Sequence, residues 1–196
     1  LGVSIGTIIG AIAGFYGGIV DAVLMRLTDM FLVTPTIIIG SVIGFRFGSF
    51  GVIPLALLLG FFAWMGLARF VRSEFLSLRE REFVDAARVA GASDRRIIFK
   101  HILPNAVGII VVVGTLLLSG AILAETALSY LGFGVRPPDV SLGLLISEYQ
   151  GSFSISPWLF WWPGTLIISI ALCINFIGDG LRDAFDPRQR RHITMK

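Results

Sequence analysis

Residues 106–124 read AVGIIVVVGTLLLSGAILA, nineteen consecutive positions without a charge. As an α-helix this stretch rises about 1.5 Å per residue and covers about 30 Å, the thickness of a bilayer's hydrocarbon core. Beyond Glu125 the apolar character continues toward Leu131. Outward from this stretch lie four more windows of the same kind: 1–20, 27–45 with only Asp29 near one end, 51–68 and 158–178. All are too long for buried strands, and none shows the residue alternation of a membrane barrel. The sequence therefore predicts an all-α polytopic membrane protein, a helical bundle in which five spans are visible and 1–196 form one transmembrane domain.

Composition supports that class. Of the 196 residues 55% are hydrophobic and only 15% charged, and 23 more are glycine. Counted together, apolar residues and glycine exceed by far the roughly 45–50% of soluble domains. A soluble fold of this length cannot hide that much apolar surface behind so few charges. Cys173 is the single cysteine and has no internal disulfide partner. His101 and His192 are far apart, and neither has acids or a cysteine at metal-ligand spacing. No metal, catalytic or cofactor-binding residue is expected. The chain opens at Leu1 inside an apolar stretch with no basic leader. The expectation is that an N-terminal span is missing, which would make six in the intact chain.

Basic residues orient the bundle. Segment 69–101 carries eight: Arg69, Arg72, Arg79, Arg81, Arg88, Arg95, Arg96 and Lys100. Segment 179–196 carries five: Arg182, Arg188, Arg190, Arg191 and Lys196. Five threaded helices place both segments and Arg26 on one side, and leave only Arg46 and Arg136 on the other. The 14-to-2 split assigns the basic side, with the C-terminal tail, to the cytoplasm. The outer loop 132–157 holds Pro137, Pro138 and Pro157 and is expected to be irregular. It leads into Trp158, Trp161 and Trp162, a group suited to anchoring at the headgroup boundary. In the first span Gly2, Gly6, Gly10, Gly14 and Gly18 recur every fourth residue, a stripe that lets another backbone approach closely.

The long cytoplasmic segment 69–104 is the informative one. In EFVDAARVAGASDRRIIFKHILPN (82–105), Phe83, Ala86, Ala87 and Ala90 fall at helical spacing and form one apolar face. Gly91 stands where a helix end needs a left-handed residue. Ser93 or Asp94 can cap a second short helix, 95–102, before Leu103-Pro104 leads into the next span. The pattern is a helix–turn–helix whose small face suits either docking into a protein groove or lying on lipid. Its alanines offer little area for membrane insertion, which favours docking.

Here the sequence resembles a known family. Integral subunits of bacterial ABC importers carry a cytoplasmic EAA loop: Glu-Ala-Ala, a glycine four positions after the second alanine, and Leu-Pro twelve and thirteen positions after that glycine. This chain has Asp85-Ala86-Ala87, Gly91 and Leu103-Pro104 at those spacings, with Asp85 in place of Glu and His101 in place of an aliphatic residue. Both departures look like the peptide-permease branch. GAIAGFYGGIVDAVLMRLTDM (10–30), ILAETALSYLGFGVRPP (122–138) and NFIGDGLRDAFDPR (175–188) also resemble the C-type permease subunit of dipeptide/oligopeptide (peptide/nickel) ABC importers. The resemblance implies the type I importer transmembrane fold in the bacterial inner membrane. It implies half of a translocation pathway for di- or oligopeptides, with nickel or glutathione as alternative cargo. The implied partners are a homologous second permease subunit, two ATPase subunits that bind ATP and Mg, an extracytoplasmic substrate-binding protein and membrane lipid, but no nucleic acid. By the same resemblance Glu82, Asp85, Ala86, Ala87 and Gly91 form the coupling element that meets an ATPase.

No GxxxxGK[ST] occurs, so ATP hydrolysis must come from a separate chain. Two rival classes remain compatible with the sequence. An ion-coupled secondary transporter would use Glu125 and Asn175 as pathway contacts, although both can equally hydrogen-bond between helices. An intramembrane aspartyl protease would use Asp179 in Gly178-Asp179-Gly180, but it needs a second carboxylate close by, and Glu125 lies toward the other face.

Overall fold

The computed structural model describes residues 1–47 and 51–185, and all regular structure among them is helical. In chain order the helices are α1 (Gly2–Tyr16), α2 (Gly18–Val33), α3 (Thr36–Phe47), α4 (Ile53–Phe62), α5 (Trp64–Arg79) and α6 (Glu82–Val89). Then α7 (Asp94–Arg96) continues through a π segment (Ile97–Ile102) into α8 (Leu103–Tyr130), followed by α9 (Leu142–Tyr149) and α10 (Pro157–Phe185). The expected tail 179–196 lies outside the described residues from 186 onward, with Arg188, Arg190, Arg191, His192 and Lys196.

Among the described residues, length and apolar composition qualify three helices as membrane spans: Ile53–Arg79, Asp94–Tyr130 and Pro157–Phe185, of 27, 37 and 29 residues. A fourth follows if α2 and α3 count as one bent span. This corrects the window 27–45, which is not one straight helix. Pro35 has no N–H and drives Thr34 out of the helical region, so the helix breaks there. The window 1–20 is also shorter than expected: α1 has 15 residues and stops at Gly17 and Gly18, with φ of 65° and 53°, values that L side chains rarely adopt. The outer loop 132–157 is not irregular throughout, since α9 and a 3-10 turn (Gln150–Ser152) lie within it.

The described residues fall into two compact units, one of 1–33, 63–115 and 177–185, the other of 34–62 and 116–176. In the first unit α1 lies on α5. A Cβ built on Gly6 would stand 2.7 Å from Trp64 O, on Gly10 2.5 Å from Ala68 O, and on Gly14 2.6 Å from Arg72 O. Successive glycines thus meet successive carbonyls four residues apart, and Leu67, Val71 and Phe75 are fully buried in this seam. The stripe read from the sequence is narrower than its five members. Gly18 meets no atom within 4 Å and serves the turn instead. Arg72 holds Asp21 of α2 through both carboxylate oxygens, and Arg69 pairs with Asp29. Each pair offsets one of the positive charges that α5 carries and ties α2 to it. Arg79 Nη1 donates to Phe15 O at 3.0 Å, satisfying a carbonyl at the end of α1.

In the second unit Leu55, Leu58, Leu128 and Val135 form the core, with Ile39, Ile43 and Phe62 against it. Asp139 Oδ2 accepts from Val52 N at 2.9 Å and fixes the start of α4. Pro157 opens α10, where a missing N–H costs no bond. Trp158, Trp161 and Trp162 stand exposed on its first turns.

Candidate functional site: the α6–α7 loop

Of the expected cytoplasmic segment 69–104, residues 69–79 belong to α5 and to the apolar run Ile53–Arg79, so the segment is shorter than expected and 80–104 build the element singled out above. Glu82 and Asp85 lie in the first turn of α6 and Arg88 in its last, each complementing the helix dipole. Gly91 takes φ 78°. Its N–H donates to Arg88 O at 2.9 Å, and Ala92 N–H reaches back to Ala87 O at 3.0 Å. This pair of bonds is the Schellman motif, and it needs the left-handed residue that the sequence placed at Gly91.

Two expectations need correction. The inner face of α6 is Val84 and Ala87, both buried, and α6 packs through it on the π segment, where Ile97 and Ile102 are fully buried. Ala87 therefore does not belong to the exposed face. Phe83, Ala86 and Ala90 do, together with Glu82 and with Val89, which is 90% exposed. An alanine reads the same on either side of a helix, so periodicity alone did not separate Ala86 from Ala87. Val89 lies three residues beyond Ala86, outside the stripe that Phe83, Ala86, Ala87 and Ala90 define.

The second correction concerns 95–102. It is not a separate short helix but part of one continuous run, Asp94–Tyr130. Leu103 N–H donates to Ile98 O, five residues back, immediately before Pro104. Proline lacks an N–H and crowds the carbonyl four residues earlier, and the wider π turn lets the helix pass it. Ser93 stands at the N-cap of this run in extended backbone, and its side chain makes no capping bond.

The other two polar residues lie elsewhere. Glu125 Oε1 accepts from Ser129 Oγ at 2.6 Å and from Ser141 Oγ at 2.7 Å. Ser141 Oγ in turn accepts from Leu144 N at 3.0 Å as the N-cap of α9. The carboxylate thus ties the end of α8 to the start of α9. It also borders an apolar cavity of about 510 Å³ lined by Leu55, Leu59, Leu118, Ile122 and Ile167. Asn175 is half-buried on α10. Glu125→Ala strands two hydroxyls, and the expected cost is about 1–3 kcal/mol, read as a lower melting temperature in detergent. Glu125→Gln keeps an acceptor oxygen and should lose less. Unchanged melting of Glu125→Ala would remove the anchoring role.

A multi-helix membrane protein with an exposed α6–Gly91–α7 loop is the class these features define. The profile of the family described as "Binding-protein-dependent transport system inner membrane component" matches residues 6–191. The chain belongs to that family. It is 47% identical over 183 residues to the oligopeptide transport system permease protein OppC of Mycobacterium tuberculosis, covering 93% of this chain and 63% of that protein. Against the protein of the same name from Haemophilus influenzae it is 42% identical over 190 residues, covering 97% and 61%. Against that from Escherichia coli K12 the figures are 40% over 174 residues, 89% and 57%. The chain therefore spans less than two thirds of the length of these relatives.

Proposed function

We propose that this chain is the permease subunit of an ATP-driven, binding-protein-dependent importer, forms half of its translocation pathway, and carries oligopeptides. The observation that carries the reading is the α6–Gly91–α7 loop in a chain of this family, with its exposed face of Phe83, Ala86, Val89 and Ala90. Ala86 and Ala90 leave the backbone between Phe83 and Val89 approachable, so a partner cleft can close over the face with those two side chains as its apolar contacts. The names of the three relatives favour oligopeptides, while nickel and glutathione are the alternatives of the same class. The ligand that co-purifies with the binding protein distinguishes them.

The subunit is a transport component and not itself an enzyme. ATP and Mg belong to two ATPase subunits, and a second permease subunit completes the pathway. Glu82, Asp85, Ala86 and the Gly91 turn form the coupling surface, and Ala87 supports it from behind. The type I importer fold accommodates the three spanning helices found among the described residues, or four with α2 and α3 as one bent span. The 14-to-2 distribution of basic residues puts the loop and the C-terminal tail in the cytoplasm and α9 outside. Glu125 and Asn175 border the pathway or brace helices beside it.

A cysteine at Val89 should form a cross-link to an ATPase subunit through a short bifunctional reagent, and one at Val140 should not. In intact cells an impermeant thiol reagent should label Val140→Cys and spare Val89→Cys. Labelling at Val89 from outside would overturn the orientation and the docking surface with it.

A further inference from the structure

The first unit carries a groove that the coupling role does not use. It lies between α1 and the helix entering α8, has a volume of about 350 Å³, and is lined by Thr7, Ile8, Ile12, Tyr16, Ile98 and Phe99, with Arg95 on its wall. Ile8, Ile12 and Tyr16 are spaced four apart and form a stripe distinct from the glycine seam on Gly6, Gly10 and Gly14. From Thr7 to Tyr16 the helix rises about 14 Å, close to half of a hydrocarbon core of about 30 Å. One acyl chain reaching from the headgroup level to mid-membrane has that length.

Arg95 and Phe99 also line a neighbouring depression with Ser93 and Arg96. Arg95, Arg96 and Lys100 are all exposed. Among the described residues none of them has a carboxylate within ion-pair distance, whereas Arg69, Arg72, Arg79 and Arg88 each do. Asp94 precedes the two arginines in sequence but pairs with neither. The Ser93 hydroxyl makes no capping bond and faces the same depression. A cluster of guanidinium groups at the mouth of an apolar groove calls for a ligand with an anionic head and an apolar tail. Guanidinium matches phosphate through two parallel hydrogen bonds, and basic pockets beside membrane helices hold anionic headgroups in this way.

We propose that this groove binds one anionic phospholipid, its acyl chain against Ile8, Ile12 and Ile98 and its phosphate at Arg95 and Arg96. Because α6 packs on the π segment that follows these arginines, the lipid steadies the helix on which the coupling surface rests. The proposal rests only on the membrane-spanning reading and not on the cargo. Its test uses no transport, so its failure and that of the importer reading are separable.

The test is the fraction of motionally restricted lipid seen by electron spin resonance, with the complete transporter in phosphatidylcholine vesicles containing either spin-labelled phosphatidylglycerol or spin-labelled phosphatidylcholine. Wild type should prefer phosphatidylglycerol by about thirtyfold, the order expected of two arginines near a membrane surface. Arg95→Gln with Arg96→Gln should bring the ratio close to one. Ile12→Trp, which fills the groove and leaves both arginines, should lower it as well, and Arg81→Gln should leave it unchanged. Retention of the preference in the double variant or in Ile12→Trp would overturn the proposal. Equal loss in Arg81→Gln would reduce the effect to general surface charge and overturn it. Displacement by millimolar inorganic phosphate would make it a phosphate site. No preference in wild type would mean that protein, not lipid, covers the groove.

Discussion

Gly10→Val is expected to leave little folded protein. A Cβ at Gly10 already falls 2.5 Å from Ala68 O, 2.7 Å from Val71 Cβ and 3.0 Å from Arg72 N. Two of these three atoms are backbone on α5 and cannot rotate aside, so α1 must move away along the whole seam. Overpacking by a few carbons costs about 1–3 kcal/mol where side chains can yield. Here they cannot, and the loss extends to Gly6 and Gly14 on the same face, against a total stability of about 5–15 kcal/mol. Gly10→Ala should show the same effect at smaller amplitude. Gly66→Ala and Gly120→Ala are the controls. Neither Cβ meets an atom within 4 Å, and replacing a mid-helix glycine stabilises by roughly 0.5–1 kcal/mol. Thermal melting in detergent, with yield from the membrane, reads all four. A Gly10→Val protein that melts with the wild type would mean that α1 and α5 do not meet through this stripe.

Gly91→Val is expected to reach the membrane and lose most of its transport. The position is open, with no atom within 4 Å of a built Cβ, so crowding does not contribute. The whole penalty is the left-handed backbone, about 1–2 kcal/mol for an ordinary residue. Relaxing it breaks the bonds from Gly91 N–H to Arg88 O and from Ala92 N–H to Ala87 O. The face of Phe83, Ala86 and Val89 then turns relative to the Asp94–Tyr130 helix. Coupling between sites is usually only about 1–3 kcal/mol, so this loss is comparable to the signal. ATP-dependent uptake should fall by about tenfold, since about 1.4 kcal/mol corresponds to a factor of ten. Gly91→Asn, which tolerates the left-handed region, should retain most of it. Ala87→Leu should also impair coupling, by overpacking α6 against the π segment, because Ala87 is buried. Transport by Gly91→Val at the wild-type rate would detach this turn from coupling.

Much of this architecture was legible because membrane solvent imposes simple rules. A run such as 106–124 has few other uses, and a glycine at every fourth position has one obvious geometric meaning. Gly91 was legible because the last turn of a helix ending in Ala90 calls for a left-handed residue. The misreadings have physical causes too. Apolar content defines window 27–45 and is blind to Pro35. The helix α9 has a local signal, a capping Ser141 followed by Leu142, Leu145 and Ile146, but the prolines nearby point to a loop. Pro104 was read as a boundary, yet a π turn carries the helix through it, and nothing local announces that widening. The bonds of Glu125 to Ser129 and Ser141 depend on how 131–141 folds back, which spacing alone does not specify.

The central claim is tested most directly in vesicles containing the intact permease, its partner permease and both ATPases, with ATP inside and binding protein carrying a radiolabelled oligopeptide outside. Uptake should require ATP and the binding protein together, and should not respond to an imposed proton gradient in the absence of ATP. Accumulation driven by that gradient alone would contradict the account and make the chain a secondary transporter.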